Sequence, residues 1–120
     1  MSFFVEKRTS TRYPSIAKAK INGVKYGEIL LKDISITGCC LESTMQIDIV
    51  KGTQYTLDII PEKVSGIGEF DILAELVWIE NGGYSTYFGF FVLESPKGKL
   101  FQRYVDYLAY RTSGSSAASQ

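Results

Sequence analysis

Apolar and polar positions alternate with a period of two along most of this chain, then switch to a helical period near its C-terminus. From Ile16 to Ile21, small or apolar residues alternate with Lys18 and Lys20, the pattern of a half-buried strand. Asn22-Gly23 follows and predicts a two-residue hairpin of type I′, in which both central residues take positive φ. Val24 to Ile34 reads as a long returning strand with Gly27 as a candidate bulge. Thr37-Gly38 breaks that run, and Cys39 to Leu41 resumes it. Met45 to Val50 is expected to pair loosely. Tyr55 to Ile60 alternates again until Pro61 ends it, and Glu62 to Gly68 reads as a loop. Phe70, Ile72, Ala74, Leu76 and Trp78 share one face of the next strand, which places Trp78 with the core. Asn81-Gly82-Gly83 turns the chain, and Tyr84 to Leu93 returns as an aromatic-rich strand.

About six antiparallel strands joined by short turns argue for a small barrel, since closure hides strand edges when no second layer is available. Beyond it, Ser95 is placed to cap a helix and Pro96 to open its first turn. Leu100, Phe101, Tyr104, Val105 and Leu108 fall on one helical stripe, which would cover an end or flank of the barrel. The organisation expected is therefore a single domain over residues 1–111. It comprises an arm (1–14) that Pro14 steers into the first strand, a barrel (15–93) and a helix (95–111). The Ser/Ala/Gly-rich residues 112–120 are expected to form a disordered tail.

With 120 residues, 45% of them apolar, the chain suits one packed core. The 13 basic and 13 acidic residues cancel, which weighs against a nucleic-acid coat or a membrane-surface binder. The charge is unevenly spread: Lys7, Arg8, Arg12, Lys18, Lys20 and Lys25 follow one another without an intervening acid. A local positive field of this size suits a small anionic ligand better than a long polyanion. The chain contains no histidine, so the commonest general base and metal ligand is missing. Cys39 and Cys40 are adjacent, would point to opposite faces of a strand and cannot easily bridge. They read as small buried residues in a reducing compartment, and no metal site is expected. Without a secretory signal or a stretch of membrane-spanning length, a soluble cytoplasmic protein is expected.

The candidate chemistry lies in two stretches. Arg8 and Arg12, four positions apart in a polar segment, offer two planar forks for phosphate or for the O6/N7 edge of guanine, and a guanidinium also stacks on a base. In Asp33-x-Ser35-x-x-Gly38, the carboxylate accepts the two N–H donors of a guanine edge and the serine hydroxyl donates or accepts. The glycine lets backbone and ligand approach closely. A purine nucleotide carrying phosphates uses all five groups at once. Lys7 adds charge beside Arg8, and Trp78 is a candidate border for a bound base although its strand position favours core.

Arg8-x3-Arg12 followed by Asp33-x-Ser35-x-x-Gly38 at a strand end resembles the signature of the PilZ domain family. So does the continuation into a strand ending at Trp78, a turn, and Gly89 within Tyr87-Phe88-Gly89-Phe90-Phe91-Val92. The resemblance spans Lys7 to about Leu93. It implies a mainly β fold, a six-stranded antiparallel split barrel with a C-terminal α-helix, acting as a receptor for cyclic di-GMP. Arg8 and Arg12 would grip guanines and phosphates from the arm, with Lys7 assisting. Asp33 and Ser35 would surround one guanine, Gly38 would shape the loop beneath it, and Thr37, a departure from the family pattern, would narrow the pocket. The resemblance further implies a non-enzymatic protein that changes conformation on binding and signals through a protein partner, as a monomer or through dimerisation. Motility, adhesion and virulence are the processes compatible with the family. The alternative is a ligand-independent interaction module of the same fold. Hydrolysis of a phosphodiester would need a carboxylate cluster or a general base that this constellation lacks.

Overall fold

The computed structural model describes residues 11–25 and 29–118, with side chains as far as residue 113. Its strands are β1 (Tyr13–Pro14), β2 (Lys18–Ile21), β3 (Ile29–Ile34), β4 (Gly38–Ser43), β5 (Gln54–Ile60), β6 (Phe70–Asn81) and β7 (Thr86–Glu94), followed by helix α1 (Gly98–Ala118). The order β3-β2-β5-β6-β7-β4 closes on itself because β4 also pairs with β3, and every pairing is antiparallel. The result is the expected closed six-stranded barrel. The two-residue β1 lies outside the ring and pairs with the far end of β3, Tyr13 opposite Ile34 and Pro14 opposite Asp33.

Alternation does the work that it predicts. Ala19 and Ile21 of β2, Ile29 and Leu31 of β3, Leu57 and Ile59 of β5, and Phe70, Ile72, Ala74 and Leu76 of β6 all face one buried interior. Helix α1 docks beside Phe70, the first residue of β6. Phe101, Tyr104, Val105 and Leu108 are buried against the core, and the rings of Phe101 and Tyr104 lie 5.9 and 6.0 Å from that of Phe70. Each such side chain contributes about 1.5–3 kcal/mol on burial, so the helix is firmly docked.

Several local expectations change. Only Gly23 (φ 85°) has positive φ in the Asn22-Gly23 turn, and Val24 N–H donates to Ile21 O at 3.1 Å. That is the type II pattern, not type I′, and Val24 and Lys25 are not part of a strand. Gly27 lies outside the described residues; the bulge in β3 is at Lys32, between Leu31 and Asp33. Met45 to Val50 forms no strand. The Ser43 hydroxyl, bonded to both N–H and C=O of Met45, turns the chain away, and the closed ring offers no free edge. Residues 63–65 form one 3-10 turn inside the expected loop. Helix α1 starts at Gly98, two residues after Pro96, and Ser95 does not cap it; the Ser95 hydroxyl points to Asp71 O instead. The helix also runs to Ala118, through residues expected to form a tail. Among the described residues no helix is long and apolar enough to cross a membrane.

Candidate functional site on the outer wall

Two of the three bulges in the barrel decide which side chains reach the outer face near the candidate residues. In β3, Leu31 faces Leu41 and Asp33 faces Cys40, so Lys32 is an extra residue. Leu31 and Ile34 both point inward, and Lys32 and Asp33 therefore both emerge on the outer face. In β6, Leu76 faces Phe90 and Trp78 faces Gly89, with Val77 the extra residue. Phe88 and Phe90 are buried in the core, so Gly89 between them faces outward, and Trp78 opposite it does too. This overturns the placement of Trp78 with the core. Its indole packs on the Gly89 backbone: a Cβ on Gly89 would lie 2.0 Å from the ring. The signal was present as a lone glycine among aromatics, a position that an aromatic from the next strand often covers.

Register then assembles one outer row, Pro14, Asp33, Cys40, Gly89 and Trp78, across β1, β3, β4, β7 and β6. Cys40 is buried but stands apart from the core cluster that contains Cys39. Burial raises both thiols, Cys39 to about 12 and Cys40 to about 11. Both should resist a thiol reagent at about pH 8 in the folded protein and react once it unfolds; rapid labelling of the native state would contradict this burial. The sign of the linkage follows. Stability from the neutral thiols is complete below their ordinary value of 9.0 and is lost as pH rises towards 11–12.

The candidate binding residues meet at the end of this row. Arg12, carried next to Asp33 by the β1–β3 bridge, donates from Nη1 to Asp33 Oδ1 at 3.1 Å. The pair is partly exposed, 42% and 26% for the two side chains, and such pairs contribute at most about 1 kcal/mol. Gly38 is needed for space, since its φ is not positive. A Cβ there would lie 2.8 Å from the Phe90 carbonyl oxygen and 3.2 Å from Arg12 Nη2, so the bare glycine lets the guanidinium lie across it. Ser35 is 1% exposed. Its hydroxyl accepts from Gly38 N–H at 3.1 Å and from Thr37 N–H at 3.2 Å, and Ser35 N–H donates to Gly38 O at 2.8 Å. In this structure Ser35 therefore fixes the turn that presents Asp33 and Gly38. The Thr37 hydroxyl turns inward to Ser35 at 3.3 Å. Arg8 and Lys7 lie outside the described residues. Among the described residues no cluster of His, Cys, Asp or Glu could hold a metal ion.

A second polar cluster joins the base of the arm to the helix. The Tyr104 hydroxyl donates to Glu62 Oε1 at 2.7 Å and lies 2.7 Å from Ser15 Oγ, which accepts from Ala17 N–H at 2.9 Å. Burial pushes the Tyr104 phenol up, keeping it protonated as this geometry requires. Arg111 completes the cluster through Glu62 Oε2 at 3.3 Å. The sequence marks Tyr104 only as part of the helix's apolar stripe, because the cluster is brought together only by the docking of α1.

Fold and site together define a closed antiparallel barrel that carries its polar constellation on its outer wall, with a filled apolar interior. The PilZ domain model matches residues 6–107, and the chain belongs to the PilZ domain family, a family of cyclic di-GMP receptors. Among solved structures, the inhibitor of motility of Bacillus subtilis (MotI/DgrA) superposes with a TM-score of 0.75 at 16% identity. The match covers 89% of this chain and 52% of that one, so this chain spans about half of its length. At that identity the likeness concerns the fold. No curated protein matches the sequence.

Proposed function

We propose that this chain is a non-catalytic receptor for cyclic di-GMP that binds on the outer wall beside Asp33 and passes the event to a protein partner. The observation that carries this reading is the Arg12–Asp33 pair lying over Gly38. An anion fork and an acceptor-only carboxylate are brought together from positions 21 residues apart, at a place where the backbone is bare. Ligand would replace this ion pair, the guanine N1–H and N2–H donating to Asp33 and a phosphate accepting from Arg12. Opening the exposed pair costs at most about 1 kcal/mol, well within what two charge-assisted contacts return. Arg8 and Lys7 are proposed to add phosphate contacts from the arm, Ser35 to support the loop, and Trp78 to border the base.

The same energies indicate where the conformational response lies. Helix α1 is held by several buried side chains, whereas β1 is held by a two-residue bridge in which Pro14 lacks an N–H, by the half-buried Tyr13 and by the hydrogen bonds of Ser15 at its base. The arm is the cheaper element to move, and a change in its position is what a partner would read. Motility is the output to test first, given the name of the structural neighbour, with adhesion and virulence behind it. A monomer is the simplest assembly, and ligand-dependent dimerisation is an alternative route to a partner. Neither nucleic acid nor membrane insertion is part of this reading.

Calorimetric titration with cyclic di-GMP tests it. Saturable binding is expected, at least tenfold weaker in Arg12→Ala and in Asp33→Ala, with both variants folded. Equal binding by both variants would remove the site, and no binding by the wild-type chain would leave the ligand-independent interaction module. One observation favours that second reading: Arg12, Asp33 and Ser35 already satisfy one another or the turn.

A further inference from the structure

The β3 bulge places a residue outside the two signature stretches on the same outer face. Lys32 emerges beside Asp33, and its Nζ lies 4.3 Å from the centroid of the Tyr87 ring. Among the described residues it forms no ion pair with a carboxylate. The direction in which it leans is set by register. Successive outward rows on β4 and β7 are Gly38 with Phe91, Cys40 with Gly89, and Glu42 with Tyr87. Arg12 lies over the first of these rows and Lys32 reaches to the third, so the two cations stand on opposite sides of the row that holds Asp33. The Cys40 thiol registers the grouping, since it is raised by Asp33 and lowered by both Lys32 and Arg12.

We propose that Lys32, held over the ring of Tyr87, is a further phosphate-binding residue of the cyclic dinucleotide site, on the side of Asp33 opposite Arg12. The inference rests on the receptor reading above. In a cyclic dinucleotide each guanosine carries a phosphodiester on both its 3′ and 5′ oxygens. A carboxylate for the base edge with a cation to either side is the complementary arrangement. The two rows that the cations reach, Gly38 with Phe91 and Glu42 with Tyr87, are four residues apart along β4, about 13 Å, a spacing on the scale of a dinucleotide. Tyr87 acts as a positioning residue. Its ring is backed by the bare Gly82 backbone, where a Cβ would lie 2.6 Å from the ring edge, and it orients the lysine without itself needing to touch ligand. A cation over an aromatic face keeps its charge and most of its N–H donors available for an arriving phosphate.

Calorimetry with cyclic di-GMP on the full chain, over a range of salt concentrations, separates the possibilities. Lys32→Gln keeps a polar side chain only one atom shorter on an exposed position and removes the charge. It should weaken binding about tenfold and flatten the salt dependence of affinity. Lys32→Arg should stay within about threefold of wild type, because it retains both charge and stacking. Tyr87→Leu, which removes the ring face but leaves the lysine, should lose affinity without flattening the salt dependence. Lys32→Gln binding as tightly as wild type while Arg12→Ala is impaired would overturn the role of Lys32 and leave the receptor reading standing. A wild-type chain that does not bind at all would overturn both.

Discussion

Gly38→Ala should destabilise the barrel by about 1–3 kcal/mol, the range for forcing extra volume into a packed position, and should weaken cyclic di-GMP binding at least tenfold on the proposed reading. The added Cβ meets two different neighbours. The Phe90 carbonyl oxygen, 2.8 Å away, belongs to backbone paired into the β4–β7 ladder and cannot move without disturbing Gly38 and Phe91. Arg12 Nη2, 3.2 Å away, ends a partly exposed side chain and moves readily, but only by leaving Asp33. The stability loss therefore reports on the ladder and the affinity loss on the guanidinium. Urea denaturation and calorimetry on the same variant separate them. A variant of wild-type stability would show that the close approach at Gly38 relaxes freely.

The second large effect is expected at Tyr104. Tyr104→Ala removes a fully buried ring that packs on Phe70 and leaves Glu62 and Ser15 without their shared hydroxyl, a loss of about 3–5 kcal/mol. Tyr104→Phe keeps the ring and deletes only the hydroxyl, and should cost about 1–3 kcal/mol because the acceptor on Glu62 is left partly buried. The difference between the two variants in urea denaturation measures packing separately from the hydrogen-bond chain. A neutral Tyr104→Phe would mean that water or Arg111 replaces the hydroxyl at no cost.

The fold was readable because most of its determinants are periodic. Strands around Ile72 or Leu57 need only alternate, and the stripe through Phe101, Tyr104, Val105 and Leu108 needs only a helical spacing. What escaped depends on partners distant in sequence. The extra residues Lys32 and Val77 are bulges only relative to Cys40 and Gly89 on other strands, so no local pattern marks them, and alternation alone puts Trp78 on the wrong face. Met45 to Val50 has strand-like composition but meets a ring already closed. At the site, Arg12, Asp33 and Gly38 were legible from residue type and spacing. That Gly38 serves by making room, and that the Ser35 hydroxyl is spent inside the turn, is legible only from three-dimensional neighbours. Nothing in the sequence marks Lys32, because the Tyr87 ring that holds it comes from β7, far along the chain.

The bulges at Lys32 and Val77 carry a consequence for how this surface tolerates change over generations. Inner and outer faces are filled by different residues, so the wall that bears Asp33, Lys32 and Trp78 can exchange one side chain for another while the interior stays as packed. Changes of length are another matter: inserting or deleting a residue elsewhere in either strand sends the rest of it through half a turn. Losing Lys32 or Val77 itself instead restores plain alternation and keeps the later side chains on their present faces. Apart from Gly38 and Gly89, whose bare backbones are needed for space, recognition on this barrel is thus freer to drift by substitution than by change of length. The two bulges are the places where a residue can be lost without turning a strand over.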